Sequence, residues 1–281
     1  MKKSILNKIG SVLIITLMVF SLSACGKKAD NATGQTASAK GETNLDKIKK
    51  SGKLIVGTSA DYPPYEFHKQ VNGKDEIVGF DIEIANQLAK DLGVQLEVKD
   101  ITFNGLLESL KAGKIDMIIA GMNPTAERAK EVDFSKIYYT STQAVLVRTE
   151  DKDKYKSLSD LSGKKVGAQM TTTQEQIAKS QIKGADVKSL GKVTDLILEL
   201  KNKKVDALVV ESTVAQSYAD KNSDLTVSSA HFSMETSQKG SAIAVKKNSP
   251  ELVKELNKSI DKLIKDKSID KFVIKANTMT E

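Results

Sequence analysis

A sixteen-residue pattern occurs twice in this chain, ninety positions apart: LLESLKAGKIDMIIAG at 106–121 and LILELKNKKVDALVVE at 196–211. Leu110 falls on Leu200, Lys114 on Lys204, Asp116 on Asp206 and Gly121 on Glu211. Each copy reads as a helix with apolar residues on one face, a polar turn and an apolar strand. The segments that precede them also correspond, GKLIVG at 52–57 with GKKVGA at 163–168, each a glycine-lysine turn before a short strand. A chain that repeats such a unit builds two similar α/β lobes, and 281 residues leave room for both.

The stretches between the repeats agree. KLIVGTSA (53–60) reads as a buried strand running into a loop, IVGFDIEIANQLAKDLG (77–93) has helical apolar spacing after Phe80, and VQLEVKD alternates as a half-buried strand does. Alternating strands and helices predict mostly parallel sheets, in which ligands bind in the crevice beyond the carboxyl ends of the strands. The loops at those ends are 58–67, 101–105, 121–128, 168–175 and 210–216, with Gly121 and Glu211 ending equivalent strands in the two lobes.

These loops carry the residue types of an amino-acid cradle. Arg128 is one of two arginines against forty-one lysines, and a guanidinium fork matches a carboxylate in a way lysine does not. Thr125 is placed to cap a helix over AERAKEV, adding free N–H groups that favour an anion. Thr172 and Thr173, at the start of another helix in AQMTTTQEQIAKSQ, offer hydroxyl and backbone donors to the same group; the threonine run also suits a strand edge. Glu211 ends the apolar strand VDALVV, where a carboxylate is costly without a cation such as an α-ammonium. Tyr62 and Phe103 lie on strand-end loops as a flat wall for a side chain or as lobe core, and Pro63 and Pro64 stiffen the first of these loops.

The first residues set the compartment. MKKSILNK is a basic start, IGSVLIITLMVFSL an apolar core too short for a spanning helix, and LSAC an end that resembles a bacterial lipoprotein box with Cys25 as the acylated residue. Residues 1–24 are then a signal peptide and 25–43 a lipid-anchored flexible tether, polar and without apolar period. Cys25 is the only cysteine, which excludes an internal disulfide and a cysteine-rich metal site. Losing Lys2, Lys3 and Lys8 with the leader takes the formal charge from +7 to +4, and the remaining lysines are spread among acids, which argues against a nucleic-acid partner.

GTSADYPPYEF, GFDIEIANQLAKDLG, GKIDMIIAGMNPTAERAKEVDFSKIYYT and VDALVVE together resemble the solute-binding proteins of bacterial ABC importers, in the polar amino-acid branch known as family 3. The resemblance covers nearly all of residues 50–275. It implies a two-lobed α/β fold of the type II periplasmic-binding-protein kind, shared with the ligand cores of ionotropic glutamate receptors, with two hinge crossings near 142–148 and 237–245. Lobe 1 is then 44–142 with 240–281, and lobe 2 is 147–236. It further implies that Arg128 grips a ligand α-carboxylate with Thr172 or Thr173 and Asn123, that Glu211 and the Gly121 carbonyl take the α-ammonium, and that Tyr62 and Phe103 sandwich the side chain. Ser59, Glu66, Asn104 and Gln169 lie where side-chain selectivity is set.

The implied partners are a free L-amino acid, a permease with its cytoplasmic ATPase, and the membrane through Cys25, for a monomer on the extracytoplasmic face; no cofactor or metal is expected. The chain departs from the family where Ser59 replaces a frequent aspartate, where Thr171 replaces a frequent glycine, and in its last segment, IDKFVIKANTMTE. Glu66 with the aromatic pair suits a cationic side chain, arginine or lysine, whereas Ser59, Asn104 and Gln169 suit a neutral polar one. Catalysis has little to stand on: His68 and His231 have no nucleophile or metal-ligand spacing beside them, and no phosphate-cradling glycine loop is present. A sensory or adhesive lipoprotein of the same fold is the remaining alternative.

Overall fold

The structure, a computed structural model, describes residues 41–233 and 239–280. The expected signal peptide, Cys25, most of the tether and part of the second crossing lie outside the described residues. Along the first half run α1 (Asn44–Ser51), β1 (Lys53–Thr58), β2 (Asp61–Tyr62), β3 (Glu66–Val71), β4 (Lys74–Val78), α2 (Phe80–Leu92), β5 (Gln95–Asp100), α3 (Phe103–Lys111), β6 (Met117–Ile118), α4 (Arg128–Glu131) and β7 (Val132–Thr140). Then come β8 (Gln143–Arg148), β9 (Lys165–Gln169), α5 (Thr173–Gln181), β10 (Asp186–Leu190), α6 (Val193–Lys201), β11 (Ala207–Glu211), α7 (Ser212–Lys221), β12 (Leu225–Val227), β13 (Gly240–Lys246), α8 (Pro250–Lys265) and α9 (Ser268–Thr280).

Two five-stranded sheets result, ordered β5-β1-β6-β13-β7 and β10-β9-β11-β8-β12. In each, the first three strands are parallel, and one reversed strand, β13 or β8, follows them with antiparallel pairing on both sides. The sheets are thus mixed where mostly parallel ones were expected. The reversed strands are the two that follow passages between the sheets, and a direct passage delivers a strand without the helix a parallel crossover needs.

The ninety-residue repeat is visible as structure. α3 and α6 begin and end at equivalent positions, and Asp116 and Asp206 play one part twice. Asp116 accepts the Ile55 N–H at 2.8 Å, and Asp206 accepts that of Lys165 at 3.0 Å, so each carboxylate fastens the turn after its helix to the equivalent strand of its sheet, β1 or β9. Gly57 and Gly167 sit beneath these helices: an added Cβ would come within 2.4 Å of Ile115 Cδ1 in one case and of Leu208 Cδ2 in the other. Apolar residues close both layers, Leu106, Leu110 and Ile115 in the first and Leu196, Leu200 and Val205 in the second, all of them buried.

The chain passes from the first sheet to the second at Ser141 and Thr142, between β7 and β8. Residues 143–146, expected within the crossing, are therefore strand of the second sheet, because QAVLVR is apolar enough to be buried throughout. A third sheet, β2-β3-β4, was not anticipated; its hairpin turns at Asn72 and Gly73, both with positive φ. Arg148 is structural, donating to Asp151 Oδ2 at 2.7 Å and to the carbonyls of Leu200 and Val205 at 2.7 and 2.8 Å. At the chain's end, α8 starts with Pro250 in its first turn and buries Leu252, Leu256, Ile260 and Leu263 along one face.

Candidate functional site

Between the two sheets lies a narrow cleft with about 10 Å³ of free volume. Ser59, Tyr62, Glu66, Phe103, Gly121 and Asn123 line it from the first half of the chain, and Gln169, Thr172 and Thr173 from the second, with Arg128 between them. Ala120 and Gln174 join them; neither was expected. The strand-end rule finds this place because every lining residue but Gln169, the last of β9, belongs to a loop or helix start beyond a strand, or to the β2–β3 hairpin.

Arg128 is the only cation among the lining residues. Its guanidinium donates to the carbonyls of Asn123 and Thr171, both at 2.9 Å, and sits 5.3 Å from the centroid of the Phe103 ring. The expected helix over 126–132 is a single turn, α4, capped by Glu127 without a side-chain bond. Thr125 still supports it, its Oγ1 accepting the Arg128 N–H at 3.3 Å. Burial lowers the Arg128 pKa to about 10, and among the described residues no carboxylate lies within ion-pair distance. A guanidinium buried without a counter-ion has the chemistry of a receptor for an anion.

The two threonines divide their work. Thr172 is the N-cap of α5: its hydroxyl donates to the Gln169 carbonyl at 2.6 Å and accepts the Glu175 N–H at 3.2 Å, so it has no donor left for a ligand. The Thr173 hydroxyl is buried with no partner and is the one free to donate. Asn123 spends one N–H on the Gly240 carbonyl at 2.9 Å.

Glu211 does not line the cavity, contrary to expectation. Tyr65 donates its phenol to Glu211 Oε2, and the side chains of Asn123 and Ser141 also hydrogen-bond this carboxyl, which burial pushes up to about 7. The Glu211 N–H donates to the Tyr62 hydroxyl at 3.2 Å, and Gln174 Nε2 does so at 3.4 Å, so Glu211 lies directly behind the tyrosine that forms the cavity wall. Asn104 is also outside: it is exposed, and an added Cβ on Gly191 would come within 3.6 Å of its Oδ1.

Acidic groups surround the cavity. Glu66 lines it, fully buried. Asp81, at the start of α2, is fully buried behind it and accepts the Gly121 N–H at 2.9 Å and the Tyr138 hydroxyl at 2.8 Å. Asp61 joins the halves: it accepts the Val193 N–H at the start of α6 at 2.5 Å and a bond from Gln169 at 3.4 Å, while the Tyr218 hydroxyl donates to its carbonyl at 2.9 Å. Burial raises the pKa values of both Asp61 and Asp81 to about 6 and that of Glu66 well above the usual carboxylate range. Asp81, Tyr65 and Tyr218 were not singled out from the sequence, and no helix among the described residues is long and apolar enough to cross a membrane.

The family model of bacterial extracellular solute-binding proteins, family 3, matches residues 54–277. The arginine-binding extracellular protein ArtP of Bacillus subtilis (strain 168) is 36% identical over 265 residues, covering 92% of this chain and 94% of the relative. The ABC transporter glutamine-binding protein GlnH of the same organism is 33% identical, covering 94% and 95%. Among solved structures, an amino acid ABC transporter substrate-binding protein from Streptococcus pneumoniae Canada MDR_19A, bound to L-arginine, superposes with a TM-score of 0.82 at 37% identity, covering 84% of this chain and 98% of that one.

Proposed function

Since this chain belongs to the bacterial extracellular solute-binding proteins, family 3, we propose that it captures a cationic L-amino acid, arginine foremost, and delivers it to the permease of an ABC importer. It is an amino-acid-binding protein of a transport system, as its relatives are. The observation that carries the choice of ligand is the imbalance of buried charge: Asp61, Glu66, Asp81 and Glu211 stand in or immediately around a cavity whose lining has Arg128 as its single cation. A ligand with one carboxylate and two cationic groups fits that imbalance, whereas a neutral side chain leaves it uncorrected.

In this reading Arg128 and the Thr173 hydroxyl take the α-carboxylate, Glu211 takes the α-ammonium with the Gly121 carbonyl, and Tyr62 and Phe103 flank the side chain. Glu211 reaches the ammonium by a shift of the Tyr62 and Tyr65 phenols that now screen it. The two sheets with their helices are the two lobes, joined at 141–142 and again between β12 and β13, and the ligand holds them closed by binding that arrangement better than the open one. Acylated Cys25 tethers the protein to the extracytoplasmic face of the membrane.

Calorimetric titration of the protein, stripped of carried-over ligand by unfolding and refolding, tests the reading. Arginine is expected to bind with micromolar or tighter Kd, corresponding to about −8 kcal/mol or better, and more tightly than glutamine or citrulline. Equal or tighter binding of the neutral amino acids refutes the cationic assignment, and no binding of any amino acid refutes the clamp.

Asp61 supplies a separate test of closure. Asp61→Ala removes the acceptor from the Val193 N–H without removing a residue that lines the cavity. A charge-assisted bond of this kind is worth about 1.5–3 kcal/mol, so arginine affinity is expected to fall roughly 10- to 150-fold. Small-angle scattering should show the unliganded variant at least as open as the parent. Unchanged affinity would mean that Asp61 does not help hold the lobes together.

A further inference from the structure

The β2–β3 hairpin presents two neighbouring rungs to the rest of the chain. Tyr62 pairs with Glu66, and both line the cleft; the adjacent rung pairs Asp61 with Phe67. That second rung is held by α7. The Tyr218 hydroxyl donates to the Asp61 carbonyl at 2.9 Å, and the Lys221 ammonium stands 5.5 Å from the centroid of the Phe67 ring. Tyr218 and Lys221 are at i and i+3 and so share one face of the helix. Both contacts join segments on opposite sides of the 141–142 crossing, and neither Tyr218 nor Lys221 lines the cleft.

The two ends of α7 are engaged differently. At its start, the Ser212 N–H donates to the Thr142 carbonyl at 2.8 Å, and the Thr142 hydroxyl donates to Ser212 Oγ at 3.0 Å, so the helix is pinned to the crossing itself. It follows β11 without a loop and buries Val214 and Ala215, which makes it part of the second sheet's layer. Tyr218 lies six residues beyond Ser212, about 9 Å along the helix. Rotation about the crossing therefore carries the phenol toward or away from the hairpin. Tyr218 is buried, and among the described residues the Asp61 carbonyl is the only hydrogen-bond partner of its hydroxyl.

We propose that Tyr218, with Lys221 beside it, is a closure clasp: it grips the Asp61–Phe67 rung only when the two lobes are together, and it slows ligand release without touching the ligand. This rests on the two-lobed amino-acid-binding reading above. Tyr218 is a positioning residue that acts through the hairpin. A ligand packed against Tyr62 and Glu66 fixes one rung, and the next rung then offers the Asp61 carbonyl to the phenol. The clasp is separate from the bond between the Asp61 carboxylate and the Val193 N–H, because the carbonyl that Tyr218 uses survives Asp61→Ala.

Tyr218→Phe removes the donor and keeps the ring. Labelled arginine bound to the refolded protein and chased with an excess of unlabelled arginine reads the release rate, and the same is done with a second amino acid that the parent binds. Release from Tyr218→Phe is expected to be about two- to tenfold faster than from the parent, the scale of one neutral hydrogen bond. The factor should be the same for both ligands, and the association rate should stay within about twofold of the parent value. The thermal midpoint without ligand should stay within about 2 °C of the parent's, because the open arrangement lacks the bond.

A bond with a purely structural role gives the reverse pattern, a lowered midpoint without ligand and unchanged release, and that overturns the proposal. Release accelerated by less than about twofold also overturns it. So does a factor that differs by more than about threefold between the two ligands, which would place Tyr218 in recognition instead of closure. A parent protein that binds no amino acid removes the binding reading and this inference with it. A parent that binds arginine and a Tyr218→Phe variant that releases it at the parent rate remove this inference alone.

Discussion

Arg128→Ala should raise the Kd for the amino-acid ligand by roughly 10²- to 10⁴-fold, the equivalent of about 3–5 kcal/mol for a buried charge left without its partner. The empty protein should barely notice. Arg128 is nine-tenths buried, has no ion pair among the described residues and bonds only to the carbonyls of Asn123 and Thr171, besides its contact with the Phe103 ring. Removing it from the unliganded form gives up those neutral contacts and also abolishes the cost of a buried uncompensated charge. The thermal midpoint without ligand is thus expected to move by only a few degrees, while the rise in midpoint produced by ligand disappears. Arg128→Lys keeps the charge and loses the planar fork, and should fall between the two. Loss of less than tenfold in Arg128→Ala would mean that the carboxylate is held elsewhere.

The second large effect is on folding. Gly79 has φ 133° and ψ 171°, a conformation open in practice to glycine alone, and an added Cβ would stand 2.1 Å from the Tyr65 carbonyl oxygen. That contact is with backbone and cannot be relieved by turning a side chain. Gly79→Ala is expected to cost about 3–5 kcal/mol and to lower the melting temperature by roughly 10 °C. Gly73→Ala is the comparison: its φ of 78° is also left-handed, but nothing lies within 4 Å of the added Cβ, so about 1 kcal/mol is expected. Equal losses in the two variants would show that backbone strain, and not the approach of Tyr65, sets the cost at Gly79.

Much of this was legible in the sequence because it repeats. The offset of ninety placed α3 against α6 and Asp116 against Asp206, and the strand-end loops it defined include most of the cavity wall. Arg128 stood out by rarity among lysines. Asn104 was misplaced for a local reason: ITFNG was read as a loop, but α3 begins at Phe103. On a helix consecutive residues diverge by about 100°, so Phe103 faces the cavity and Asn104 faces away. Glu211 was placed correctly along its strand, but the phenol that holds it comes from Tyr65, 146 residues earlier. Asp81 reads in the sequence as an ordinary acid in a first helical turn, a position that suits the helix dipole by itself. Its bonds to Gly121 and Tyr138 span 40 and 57 residues, and no local pattern announces them.

The reversed strand β13 has a consequence for the timing of biosynthesis. It joins β6 to β7 in the first sheet, pairing Val245 with Met117 and Lys246 with Val132, yet it is made only after the whole second sheet. Until the ribosome has passed residue 246, the first sheet is split, with β6 and β7 lacking the strand that binds them together. Such late, long-range pairing slows folding. This order of synthesis postpones completion of the first sheet until nearly the whole chain has been made.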